Sequence, residues 1–143
     1  MDWKALNPRV IDEFRRNNGK VSGFENLPLI ILQTRGARSG RLFDVPLIPV
    51  LEADRVFLFG TNAGSASMPN WVHNVRANAR ITVEYGSEIF LAEIKELPQV
   101  EAQARLAEKA RQSTQLQDYL RSAYPRIVPV FEVIRQSKHL DGR

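Results

Sequence analysis

Three arginines and two glycines fall within eight residues at 34–41, TRGARSGR, directly after the apolar run LPLIILQ. Glycine accepts positive φ at no steric cost, so this stretch can turn successive backbone N–H groups toward one point, with the Ser39 hydroxyl as a further donor. Arg38 and Arg41 bring planar guanidinium forks that match phosphate or carboxylate. The chemistry on offer is capture of a strongly anionic group, and the plainer alternative is a solvated turn between two strands. The spacing is not that of a nucleotide phosphate loop, because no Gly-Lys-Ser/Thr follows and no helical pattern begins there.

A second candidate is GTNAGSASMPNWVHN at 60–74, which leaves an apolar run through small residues and opens a helix bearing Trp71. Small residues let a flat ligand approach the backbone, and a helix start offers free amides to anionic or carbonyl oxygens. The plainer alternative is a loop with a satisfied helix cap. Other chemistries are poorly served. The chain has no cysteine and two histidines, so thiol chemistry is absent and His73 is the one base inside a patterned segment. No serine stands in a Gly-x-Ser-x-Gly elbow. No His or carboxylate pair has ligand spacing with His73, and no metal site is expected. On its amphipathic helix His73 reads as a half-buried structural residue.

The elements that must position these stretches can be read from periodicity. Residues 3–17 form an amphipathic helix with Trp3, Leu6, Val10 and Phe14 on one face and Gly19 at its end. Packing on the body of the domain is the expected use of that face, with contact at a membrane surface the sharper alternative. Strand-like runs follow at 28–34, 45–51, 55–61, 80–85, 88–97 and 127–134, the fourth and fifth making a hairpin at Gly86-Ser87. Pro46, Pro49 and Pro129 lie within these runs, where proline favours edges and bulges. Helices are expected at 69–79, with Pro69 in the first turn and Ser67 as cap, and at 98–122 with a break near 112–114. The sum is one α+β domain over residues 1–143, about six mainly antiparallel strands closing as a barrel with flanking helices and a polar tail from 135.

Charge is unevenly placed. Residues 1–41 hold eight basic and four acidic side chains, and the remainder is neutral, so the whole net charge of +4 surrounds the first candidate loop. Such a field steers anions. Nucleic acid is not the expected one, because no basic aromatic strand, helix-turn-helix or zinc-finger spacing is present. No run is long and apolar enough to span a bilayer, and the charged N-terminus has no signal-peptide pattern, which fits a cytoplasmic protein.

Five short motifs in fixed order carry a resemblance to a known family: TRGARSG, VPL, the small loop around Asn62, PNWVHN and ANA. The stretch from about residue 7 to 134 resembles the deazaflavin-dependent nitroreductase family of split β-barrel, FMN-binding-like oxidoreductases. The resemblance implies reduced coenzyme F420 as hydride donor, a flavin-like ring with a phosphate and an oligoglutamate tail; FMN is the runner-up cofactor, and a non-catalytic deazaflavin carrier the runner-up function. By motif match Arg38, Ser39 and Gly40 would hold the phosphate, with Arg41, joined by Arg35 or Arg16, facing the glutamates. Phe43, Asp44, Val45 and Pro46, together with Phe59, Gly60, Thr61 and Asn62, would line the ring, and Asn70, Trp71 and Asn74 would close it. Ile48, Leu116 and Tyr119 would meet a small, planar, electron-poor acceptor: a conjugated enone or lactone, a quinone or a nitroaromatic. Tyr119, Tyr124, Thr61 or water would supply the proton.

This chain departs from the family pattern at several points. Leu42-Phe43 replaces a frequent Pro-Arg, Asn62 a frequent lysine, and Ala79 the proline of the Ala-Asn-Pro turn. Of the tyrosines that several relatives place on the segment matching 113–119, only Tyr119 remains. The assembly implied is a monomer or a dimer.

Overall fold

The computed structural model describes residues 3–24 and 27–136, with side chains from Asn7 onward. Helix α1 (Trp3–Arg16) is followed by strands β1 (Ile30–Arg35), β2 (Leu42–Leu47), β3 (Val50–Glu52) and β4 (Arg55–Phe59). A single turn (Asn62–Gly64) and helix α2 (Asn70–Ala77) lead to β5 (Arg80–Tyr85) and β6 (Glu88–Glu96). Helices α3 (Gln99–Ala110) and α4 (Thr114–Ala123) precede β7 (Val130–Arg135). All seven strands belong to one curled antiparallel sheet, a half-barrel in the order β2-β1-β5-β6-β7-β4-β3.

The count is seven strands rather than six because the run 45–51 is two strands. Pro49 has no N–H to give a ladder, so pairing stops at Leu47 and resumes at Val50. Pro46 survives inside β2 because that strand is an edge. Gly60 and Thr61 leave the expected 55–61 strand, and β7 begins only after Pro129. The break in the 98–122 helix is present, and Ser113 caps α4 by accepting the Leu116 N–H at 3.1 Å. Ser67 does not cap α2: Pro69 stands at the cap position with extended backbone, and the Ser67 hydroxyl lies against that of Ser65.

Strand alternation explains the three cores. Ile30 and Leu32 of β1 face the inside of the curl with Leu58, Val83, Ile94 and Phe131. Between them, Ile31 faces outward under α1, where it meets Val10 and Phe14. The apolar face of α1 is therefore used in packing at these two residues. The helix ends at Asn18 and Gly19, both at positive φ, with the Gly19 N–H reaching the Phe14 carbonyl at 2.8 Å, a Schellman-type stop. The third core lies beneath α3 and α4, with Phe57 and Val130 as its sheet side. No described helix is long and apolar enough to cross a membrane. The tail beyond Gln136, including His139, lies outside the described residues.

Candidate functional site

The strand register brings the two candidate loops to one end of the sheet. Gln33 pairs with Thr82, Arg80 with Glu93, Glu96 with Phe131 and Phe59 with Val130. The end of β1, the start of β5, the end of β6, the start of β7 and the end of β4 therefore lie along one rim. Loop 36–41 leaves that rim from β1, loop 60–68 leaves it from β4, and α2 enters β5 there.

Loop 36–41 is tight. The Gly36 N–H donates to the Arg41 carbonyl at 2.7 Å and the Gly40 N–H to the Gly36 carbonyl at 3.0 Å. Gly40 takes φ +71°, which favours glycine, and a Cβ on Gly36 would sit 2.6 Å from Ser39 Oγ and displace that hydroxyl. Ser39 Oγ accepts the Arg41 N–H at 3.1 Å, and its own O–H remains available to a ligand. Asn74, on the buried face of α2, pins the loop from behind. Its Oδ1 accepts the Ala37 N–H at 3.0 Å and its Nδ2 donates to Thr34 Oγ1 at 3.4 Å. Thr34, wholly buried, donates in turn to the Phe43 carbonyl at 3.3 Å.

The charges on this loop are unusual within the molecule. Nine arginines, among them Arg16 with Asp12, hold a carboxylate in an ion pair. The described arginines that hold none are Arg35, Arg38, Arg41, Arg80 and Arg126. Three of those five cluster at one loop, Arg35 as the last residue of β1 and Arg38 and Arg41 within 36–41. Arg38 and Arg41 are exposed, Arg41 lying 5.8 Å from the Phe43 ring, while Arg35 donates to the Gly40 carbonyl at 2.7 Å. Asp44, the nearest acid in sequence, is bound at 3.1 Å by Arg15, whose guanidinium also holds Glu84 at 2.7 Å. Glu84 first and Asp44 next raise the Arg15 pKa above its usual value. Arg15 thus ties Asp44 to Glu84 and α1, leaving one net negative charge shared over the trio.

Loop 60–68 is built differently. Thr61 has right-handed backbone, and Asn62, Ala63 and Gly64 follow with φ of +49°, +52° and +83°. Two non-glycine residues in succession at positive φ store strain, which persists only when surroundings enforce it. Gly64 permits contact with α4, since a Cβ there would stand 3.1 Å from Tyr119 Cα. Arg126, just before β7, closes the loop from behind. Its guanidinium donates to the Gly60 carbonyl at 3.0 Å, the Thr61 carbonyl at 2.8 Å and the Ser65 carbonyl at 3.0 and 3.1 Å. No motif marks Arg126 in the sequence, where it is one basic residue between a helix and a strand.

The remaining expected site residues divide by burial. Asn70 and Ile48 are exposed at the rim or edge, and Phe59, Thr61 and Tyr119 are half-buried. Trp71 is a core residue, 6% exposed, with its ring 5.4 Å from Phe131 in an edge-on contact. Leu116 packs in the core beneath α3 and α4 with Phe57. Tyr124 is 80% exposed at the end of α4. His73 faces solvent instead of being half-buried, because α2 turns Trp71, Val72, Asn74 and Val75 inward. Two clefts, of about 370 and 480 Å³, open near the end of α1 among residues such as Arg15, Arg16, Asn18 and Gly86. They lie at the opposite end of β1, where Ile30 pairs with Tyr85, and share no residue with the two loops.

A profile of the F420H(2)-dependent quinone reductase family matches residues 8–134, which is most of the chain. The chain belongs to that family. Its members are named as oxidoreductases whose reductant is the reduced deazaflavin F420H2. A Mycobacterium tuberculosis protein, Rv3178, whose name carries a provisional assignment as an F420H(2)-dependent quinone reductase, is 28% identical over 68 residues. That match spans 47% of this chain and 57% of the relative. A solved F420-H2 dependent reductase, FDR-A, is 27% identical with a TM-score of 0.62, covering 74% of this chain and 93% of that one. A structure described as a domain-swapped dimer is 26% identical with a TM-score of 0.64, covering 92% and 97%. Both solved relatives share the half-barrel.

The residues present fit the family's cofactor. A phosphate with a glutamate tail needs several cations without internal partners, and loop 36–41 displays them over fixed backbone. Loop 60–68 offers amides and small side chains to the flat part of such a molecule.

Proposed function

We propose that this protein is an F420H2-dependent reductase that uses the rim formed by loops 36–41 and 60–68 to reduce an electron-poor acceptor. The single observation that carries the reading is the cluster of Arg35, Arg38 and Arg41, free of carboxylates in a protein that pairs nine other arginines. When bound, the reduced deazaflavin supplies a hydride, which must pass over roughly 3–3.5 Å to the acceptor carbon.

In this reading Arg38, Ser39 and Gly40 hold the phosphate, and Arg41 and Arg35 hold the carboxylates beyond it. Phe43 to Pro46 and Phe59 to Asn62 border the ring, with Asn70 at the α2 end. Asn74 and Trp71 act from the interior, the first by fixing loop 36–41 and the second by fixing α2 on the sheet. Arg15 holds the Asp44 side chain toward Glu84. Ile48 and Tyr119 border the acceptor, and the proton comes from water, Thr61 or Tyr119. Quinones head the acceptor class, ahead of enones, lactones and nitroaromatics, because the family is named for quinone reduction. A dimer accompanies this reading, supported by the domain-swapped relative. Cytoplasmic placement with α1 packed on the sheet belongs to it as well.

The test is steady-state oxidation of F420H2 by a panel of quinones, enones and nitroaromatics, beside a binding titration with F420 and FMN. Acceptor-dependent turnover above enzyme-free controls is expected, with F420 the tighter ligand. Tight FMN binding without F420 binding overturns the cofactor assignment. F420 binding without turnover on any acceptor makes the protein a carrier.

A further inference from the structure

Arg126 is half-buried and, among the described residues, holds no carboxylate. It directs four donor contacts into three carbonyls of residues 60–65, and a fifth, at 3.4 Å, to Met68 Sδ. Burial lowers its pKa from the usual arginine value, yet guanidinium remains charged throughout the physiological range. A cation placed behind a loop, with no acid to balance it, leaves positive potential at the loop's front.

The loop has a matching shape. Thr61 in right-handed backbone followed by Asn62 in left-handed backbone is the combination that turns three successive N–H groups into one concavity. The N–H groups of Thr61, Asn62 and Ala63 have no acceptor among the described residues. The carbonyls of the same loop are already engaged: Gly60 and Ser65 by Arg126, Thr61 by both Arg126 and the Gly64 N–H, and Asn62 by the Ser65 N–H. Four carbonyls are held, and the amides of Thr61, Asn62 and Ala63 are left free.

We propose that Arg126 is the positioning residue of the ring site. It enforces the strained turn at Thr61–Gly64, so that the Thr61, Asn62 and Ala63 amides receive a carbonyl-type oxygen of the bound ring. This rests on the reading of the rim as a deazaflavin site, and it assigns to a residue outside the family motifs the shaping of that site. Arg126 touches no ligand in this assignment. Its charge acts through the loop it holds.

The experiment is titration of ¹⁵N-labelled protein with oxidised F420, read at backbone amides, for the wild type, Arg126→Met and Arg126→Lys. In the wild type the amides of 61–63 and of 36–41 both move. In Arg126→Met the response at 61–63 is lost and affinity falls about tenfold, the scale of a lost charged hydrogen-bond set. The response at 36–41 persists in that variant, which a general loss of structure would not allow. Arg126→Lys keeps charge without the fork and gives an intermediate affinity; it carries the test where Arg126→Met fails to fold. Unchanged responses at 61–63 in either variant overturn the assignment. If wild-type protein shows no F420 response in either loop, the cofactor reading fails and sodium acetate replaces F420 as the oxyanion probe. Shifts at 61–63 that need Arg126 then uphold its role, and shifts that do not need it overturn that role.

Discussion

Loops 36–41 and 60–68 share one rim of the sheet and are held by opposite means. The first is pinned by the neutral amide of Asn74 and displays the free cations Arg38 and Arg41. The second is pinned by the cation Arg126 and displays no charge, only small side chains and amides. A neutral clamp leaves a loop's charges free to meet a ligand, whereas a charged clamp lends its potential through backbone dipoles and leaves the surface uncharged. The pair is suited to a ligand with one polyanionic end and one flat end. In the proposed reading, charge alone marks one half of the site.

The comparison breaks most visibly at the displayed cations. Arg38→Ala combined with Arg41→Ala should weaken F420 binding by about a hundredfold or more, since each charged contact carries about 1.5–3 kcal/mol. Both side chains are exposed, so unfolding by urea should change by no more than about 0.5 kcal/mol. A titration and a denaturation curve on the same sample check both halves. Asn74→Ala should act in the opposite proportion. It leaves the Ala37 N–H without its partner beside wholly buried Thr34, which should cost about 1–3 kcal/mol of stability. Affinity for the cofactor should fall less than in the arginine double variant, because the cations remain.

The second loop is sharpened by a reciprocal pair of substitutions. Gly64→Ala places a Cβ at positive φ within 3.1 Å of Tyr119 Cα and should destabilise by about 1–2 kcal/mol. Ala63→Gly relieves a strained φ of +52° and should stabilise by about 0.5 kcal/mol, after the greater freedom of unfolded glycine is offset. Thermal unfolding of the two variants should therefore shift in opposite directions, and shifts of the same sign would remove enforced strain from the description.

The smallest effect lies away from both loops. The Arg55 guanidinium holds the Glu132 carboxylate below its ordinary value of 4.5, through hydrogen bonds first and charge second. A lowered carboxylate contributes stability that is complete above its unfolded value and is lost as pH falls through its lower native value. Acid titration of stability should show a small loss below about pH 4.5, absent in Glu132→Gln, with the wild-type loop amides unmoved.

The sequence was most legible where one physical constraint acts on adjacent residues. The β5–β6 hairpin, the α3–α4 break at Ser113 and the packed face of α1 at Val10 and Phe14 follow from alternation, capping and helical spacing. The strand count was harder, because Pro49 splits a continuous apolar run whose periodicity does not change. Loop 36–41 was legible as a tight, arginine-bearing turn because arginine, serine and glycine announce their chemistry locally. Asn74 was named, but as a cofactor contact, since no local pattern reveals a hydrogen bond to Ala37 across 37 residues. Arg126 was illegible for the same reason, its partners lying 61 to 66 residues away. Trp71 lies in the core on the face it shares with Val75, as helical spacing implies, whereas His73 faces water where half-burial is expected.

One comparison of ligands tests the central claim most directly: the affinity of the wild-type protein and of the Arg38→Ala, Arg41→Ala variant for F420 and for the same deazaflavin without phosphate and glutamates. The division between the loops requires wild type to prefer the full cofactor by about a hundredfold and the variant to show nearly equal affinity for both. Equal affinity in the wild type, or a preference that survives loss of both arginines, would contradict it.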